Sequence, residues 1–218
     1  MFGLLEIHGP IQSVFDENGN VKATPNPYAW TKVANVIYIG KKYLFLAQIV
    51  QKSAKIGEYL WSSCFSDNPV GAGFSYSNKL PSTEEEIADD LYEFLIQWFT
   101  LFPEYQSNPF FPFGESYAGK FVPRISKKIH DENENNPVLK INLAGLGIGD
   151  GFMSPPDSSV YAEYLFQLGL VGELERDELL EKEERMQYEA AQGNWYQAWM
   201  VRLQVTEKSK NPIKKPLF

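Results

Sequence analysis

The chain has 218 residues, a formal net charge of -8, and 44% hydrophobic and 15% aromatic content, enough apolar mass for one sizeable core. An acidic balance without clustered Lys and Arg excludes a polyanion-binding surface, so no nucleic-acid partner is expected. A single cysteine, Cys64, excludes an internal disulfide, and no apolar run approaches the roughly 18 residues of a membrane span.

Met1 is not followed by a charged-then-apolar leader with a small-residue cleavage site, so the chain as written is expected to be soluble and without an address of its own. Met1 to Pro10 is apolar and reads as a strand or turn, with His8 expected to be a surface or half-buried polar residue. Asp16-Glu17-Asn18-Gly19-Asn20 is a turn whose Asn18-Gly19 pair signals a hairpin. Pro25 to Trp30 is a second turn, with Trp30 serving packing. Val33 to Ile39 is β-branched and almost continuously apolar, as in a strand buried on both faces of a mainly parallel sheet. The 27 residues Gly40 to Ser66 read as a surface loop, yet Tyr43-Leu44-Phe45-Leu46-Ala47 and Ile49-Val50 would leave it an exposed, aggregation-prone apolar run.

Ser82-Thr83-Glu84-Glu85-Glu86 opens a helix with a capping box, Thr83 at the cap and Glu86 three residues on. Ile87, Leu91, Phe94, Leu95, Trp98 and Phe102 follow at helical spacing, and the acidic first turn reads as a dipole-favoured, solvated face. Phe110 to Phe113 is the next strand, with Pro112 out of place because it cannot donate to a ladder. A helix from near Tyr117 toward His130 follows, then a buried strand from Ile141 to Ile148 and a Gly149-Asp150-Gly151 turn. Beyond Pro155-Pro156 the composition turns helical in three pieces, Val160 to Gly169, Glu173 to Gln192 and Trp195 to Gln204, before a Lys-bearing tail at 205–218 that is expected to be disordered.

The chemistry-bearing stretch is Gly114-Glu115-Ser116-Tyr117-Ala118, at the junction of the Phe110 strand and the following helix. A serine on a strained strand-to-helix turn needs small neighbours two residues away, and Gly114 and Ala118 supply them. In such a nucleophile elbow the backbone N–H of the next residue, Tyr117, faces the oxyanion.

Gly114 to Pro123 resembles the active-serine signature of the serine carboxypeptidase family, within the α/β-hydrolase superfamily. Asn68-Pro69-Val70-Gly71-Ala72-Gly73-Phe74-Ser75-Tyr76, Asn26-Pro27-Tyr28-Ala29-Trp30 and Ile141 to Gly151 resemble other family blocks in the same order, and Tyr161-Ala162-Glu163-Tyr164-Leu165 with Gly169-Leu170 is most similar to the vitellogenic carboxypeptidase-like branch. The resemblance implies an incomplete α/β-hydrolase core at 1–151, part of a helical lid at 152–204, and an atypical tail at 205–218. It implies an enzyme that removes C-terminal residues from peptides or proteins through a Ser116 acyl-enzyme, with no cofactor or metal, secreted or lysosomal or vacuolar in its complete form. It also implies substrate contacts at Glu115, Asn68 and Gly114, Glu115 sharing a proton with a second glutamate while holding the substrate carboxylate. For that second glutamate the family places Glu-x-Gly-Pro where Ile7 stands here. Glu6 lies one residue early, on the opposite face of an extended strand.

In the family the Ile39 strand runs straight into Asp67-Asn68-Pro69, so residues 40–66 are an insert. Gly40-Lys41-Lys42-Tyr43 can be spelled as a splice donor and Cys64-Phe65-Ser66 as a pyrimidine tract with its acceptor, which identifies a retained intron as one origin of the insert. Hydrolases of this superfamily order nucleophile, acid and histidine along the chain, and the only histidine after Ser116 is His130, about 21 Å along the same helix. Asp150 reads as a turn residue rather than the acid. The 218 residues alone are therefore expected to be nearly inert, whether as a piece of a carboxypeptidase or as a noncatalytic product.

Overall fold

The structure is a computed structural model, and it describes residues 8–39, 45–49, 63–66, 68–71, 75–154 and 156–210. The chain divides into two compact units, Met1–Phe152 and Met153–Phe218.

The first unit opens with β1 (Ile11–Phe15) and β2 (Val21–Pro25), an antiparallel pair in which Phe15 faces Val21. Its turn forms at the expected residues. The Asp16 carboxylate accepts the N–H groups of Asn18 at 2.9 Å and Asn20 at 2.8 Å, and Gly19 takes φ +78°, a conformation that favours glycine.

β3 (Asn35–Ile39) starts two residues later than expected, and Val36 to Ile39 are all buried. β4 (Phe45–Ile49) and β5 (Ser63–Ser66) both come from the 40–66 insert. With β6 (Phe110–Glu115) and β7 (Gly147–Gly149) they make a five-stranded sheet ordered β5-β3-β4-β6-β7. β4 pairs antiparallel with β3 on one side and β6 on the other, while β3 with β5 and β6 with β7 pair parallel. Four strands thus share one direction and only β4 opposes them. The expectation of a surface loop with an exposed apolar run is corrected at 45–49: a β-prone segment beside two strands with free ladder edges completes the sheet from inside.

α1 (Glu84–Leu101) and α2 (Ala118–Glu134) pack together and build the core with the sheet. α1 contributes Leu91, Leu95 and Trp98 as its spacing predicts, together with Phe99, whereas Phe102 caps the helix and is exposed. α2 contributes Phe121, Val122, Ile125 and Ile129, all meeting Ile37, Ile39 and Phe110. The acidic first turn of α1 is more than a solvated face. Glu85 pairs with Arg124 at 2.6 Å and Asp89 with Lys128 at 3.0 Å, two rungs spaced by four residues on both helices.

Pro112 finds its place through a change of register. Phe110 bridges Leu143, but Phe113 pairs with Gly147, so three steps on β6 match four on the neighbouring segment. The bulge falls where the proline N–H is missing, and it shortens the expected Ile141–Ile148 strand to β7.

The second unit holds α3 (Ala162–Gln167), α4 (Glu173–Ala191) and α5 (Trp195–Lys210). Gly169 at φ +69° ends α3, its neighbour Leu170 donating back to the Leu165 carbonyl at 2.9 Å. Buried Glu183 on α4 accepts the N–H groups of Tyr161 at 2.6 Å and Ala162 at 3.0 Å, serving the open N-terminus of α3 from another helix. Residues 205–210 correct the expected disordered tail: they continue α5, and Val205 is fully buried beside Leu165 and Leu179. Residues 211–218 lie outside the described residues.

Candidate active site

The Ser116 turn is a strand, a single left-handed residue and a helix. β6 ends at Glu115, Ser116 takes φ +57°, Tyr117 is already helical, and α2 begins at Ala118. A left-handed conformation disfavours a residue with a Cβ, so surrounding bonds must hold it. Three do. The Ser116 N–H donates to the Gly149 carbonyl at 3.1 Å, and the Ser116 carbonyl accepts from Phe152 at 2.7 Å and Gly119 at 3.0 Å. Ala118 is completely buried at the foot of the turn, which explains the small residue there.

Tyr117 sets the wall beside the serine. Its ring lies 5.2 Å from Phe121 and 6.3 Å from Phe152, and the Lys120 ammonium stands over it at 5.1 Å from the centroid. Its hydroxyl donates to Glu84 at 3.0 Å, a contact that spans 33 residues. Burial first, then the Glu84 carboxylate, push the phenol up to about 12. The Tyr117 N–H at the mouth of α2 has no acceptor among the described residues, as the first N–H groups of a helix require if they are to meet an anion.

Of the other sequence-predicted residues, Gly114 and Glu115 lie in β6 and reach the turn through the backbone, Gly114 opposite Ile148 and exposed Glu115 opposite Gly149. Asn68 is not brought to the serine by any contact among the described residues. It is buried, follows into a cis peptide with Pro69, and lines a groove of about 890 Å³ with Ser75, Lys79, Asp90 and Phe94, a lining that includes none of Gly114 to Tyr117. Glu6 lies outside the described residues. His130 is exposed on α2, which begins two residues after Ser116, so the helix that starts at the serine's turn carries this histidine away from it. Asp150, at φ +43°, is a turn residue.

His8 is corrected from surface or half-buried to buried. It stacks on Trp30 at 4.5 Å and on Tyr38 at 5.8 Å, with no partner for Nδ1 among the described residues, and burial lowers its basicity. Glu84, Lys120 and Phe152 were missed as neighbours of the serine. No local pattern points to them, since each reaches the turn from another element or from the far end of a helical turn. Among the described residues no cluster of His, Cys, Asp and Glu is placed to hold a metal, and no helix is long and apolar enough to cross a membrane.

A serine at a helix N-terminus, where developing negative charge is stabilised, is suited to acyl transfer once a base takes the proton. The serine carboxypeptidase family profile matches residues 50–214. The probable serine carboxypeptidase CPVL of Homo sapiens is 35% identical over 206 residues, covering 92% of this chain and 36% of the relative. The vitellogenic carboxypeptidase of Aedes aegypti is 43% identical over 127 residues, 55% of this chain and 26% of the relative. Among solved structures, the prohormone-processing carboxypeptidase Kex1(Δ)p of Saccharomyces cerevisiae superposes with a TM-score of 0.71 at 20% identity, over 100% of this chain and 43% of that one, a likeness of fold. The chain spans about a third of the length of the curated relatives it matches.

Proposed function

The chain belongs to the serine carboxypeptidase family, and from that premise we propose that Ser116 is the nucleophile of a carboxypeptidase whose complete form cleaves C-terminal peptide bonds. The observation that carries this reading is the left-handed Ser116 between β6 and α2. The hydroxyl oxygen attacks the carbonyl of the last peptide bond, its proton passing by way of a base to the departing amine; the Tyr117 N–H receives the oxyanion, the C–N bond breaks to free the terminal amino acid, and water hydrolyses the acyl ester. Glu115 and Gly114 at the end of β6 contact the substrate. Asn68 acts on the substrate only if the groove it lines communicates with the turn.

The base is not supplied by His130, carried along α2 away from the Ser116 turn. His8 precedes the serine, against the order of the superfamily. The triad acid and histidine are assigned to the length of the relatives that this chain does not span, so the 218 residues alone should lack roughly 10⁴ to 10⁶ of the complete rate. Secretion or a lysosomal or vacuolar address belongs to the same complete form.

The test begins with full-length transcripts read through the codons for Ile39 and Asp67. Their product is then assayed for release of the C-terminal amino acid from a blocked dipeptide. The expected result is turnover that Ser116→Ala abolishes. Turnover unaffected by Ser116→Ala, or a full-length product with no downstream histidine and no turnover, replaces this reading with a noncatalytic, family-derived protein.

A further inference from the structure

Resting on the reading of Ser116 as nucleophile, we propose that Glu84 is a positioning residue, which fixes the oxyanion side of the Ser116 turn by holding the hydroxyl of Tyr117. The two helices that flank the turn are tied by different carboxylates for different ends. Glu85 and Asp89 bind Arg124 and Lys128 on the body of α2. Glu84 alone reaches past the helix to the residue after the serine, accepting the Tyr117 hydroxyl at 3.0 Å.

Tyr117 is held along its whole length. Its backbone begins α2, its ring meets Phe121 and Phe152, and its far end meets Glu84. Phe152 doubles the link, because its N–H donates to the Ser116 carbonyl while its ring stacks on Tyr117. A displacement of the phenol is therefore carried to the peptide unit that joins Ser116 to Tyr117. The other Glu84 oxygen is buried and has no partner among the described residues, so the Tyr117 hydroxyl is the contact that orients this carboxylate. The first turn of α1 favours a carboxylate at this point, and the Thr83 cap fixes where that turn starts.

The test uses the product of the full-length transcripts, carrying Glu84→Ala, Glu84→Gln, Tyr117→Phe and the double variant. Ser116 is phosphonylated by an alkyl fluorophosphonate, its Oγ bonding phosphorus as fluoride leaves and the hydroxyl proton passes to solvent, and the rate is read by intact mass against Ser116→Ala. Misplacement of an oxyanion donor is expected to slow labelling about tenfold or more in Glu84→Ala. Tyr117→Phe should slow it equally and the double variant no further, because both remove one link. Glu84→Gln keeps an acceptor oxygen and should stay within about threefold of the parent. In parallel, ring-labelled tyrosine NMR follows the Tyr117 hydroxyl, whose midpoint should fall in Glu84→Ala. Parent-like labelling in Glu84→Ala, or losses that multiply in the double variant, overturn the positioning role. A parent chain in which Ser116→Ala changes nothing overturns the nucleophile reading and the positioning role with it, while the Tyr117 midpoint separately shows whether the bond forms.

Discussion

Ser116 holds a backbone conformation that glycine adopts freely and serine does not, so the side chain is kept there against a local cost. Ser116→Gly should therefore unfold at higher urea than Ser116→Ala, by about 1 kcal/mol, because alanine retains the strained Cβ and glycine releases it. Equal midpoints would place the strain elsewhere. Glu86 shows a second kind of residue-level control. Bonds from the Ser82 N–H, then Lys79 and the Ser82 hydroxyl, lower its carboxyl from 4.5 to about 2. A depressed carboxyl stabilises the fold above its unfolded value and loses that contribution as pH falls from about 4.5 through about 2. Protection of the Ser82 to Glu86 amides relative to their intrinsic exchange rates should fall across that window in the parent, and Glu86→Gln should remove the acid step. The cap at Thr83 was legible because it depends on four adjacent residues; Glu86 reaching to Ser82 rather than to the Thr83 N–H was not, because that choice also involves Lys79.

At the level of elements, the helices other than α5, which runs six residues past Gln204, are legible nearly to their ends, since a 3.6-residue pattern is local. The elbow was equally legible, because strand, small-residue turn and helix follow one another without a break. The place of β4 was not. Its partners are Asn35–Ile39 and Phe110–Gly114, one before it and the other some sixty residues after, and no periodicity within 45–49 names either. Pro112 was recognised as out of place, but its remedy, an extra residue on the 143–147 side, belongs to the neighbouring segment. Deleting residues 40–66 from this chain removes β4 and β5, hence both ladder partners of β3. The expected outcome is loss of a cooperative thermal transition followed by circular dichroism. A transition as sharp as the parent's would show that β3 and β6 close on each other directly.

Across the whole molecule, apolar surface exceeds what the described residues cover. In the second unit α5 buries Ala198, Val201 and Val205, yet its opposite side leaves Trp195, Tyr196 and Trp199 exposed at 63%, 71% and 45%. Exposed aromatic stripes of this kind drive association. The chain should therefore elute above monomer size at micromolar concentration, and Trp195→Lys with Trp199→Lys should move it toward the monomer; identical elution would locate the stickiness on another face. That excess fits a chain spanning about a third of its relatives' length.

The bond from the Phe152 N–H to the Ser116 carbonyl has a mechanical side. Phe152 is the last residue of the first unit, so the strand of chain leaving that unit is moored on the serine's own peptide. Tension drawn along the backbone at Phe152 is passed to the Ser116 carbonyl through this bond. Under load, the turn that carries the hydroxyl would feel that pull directly.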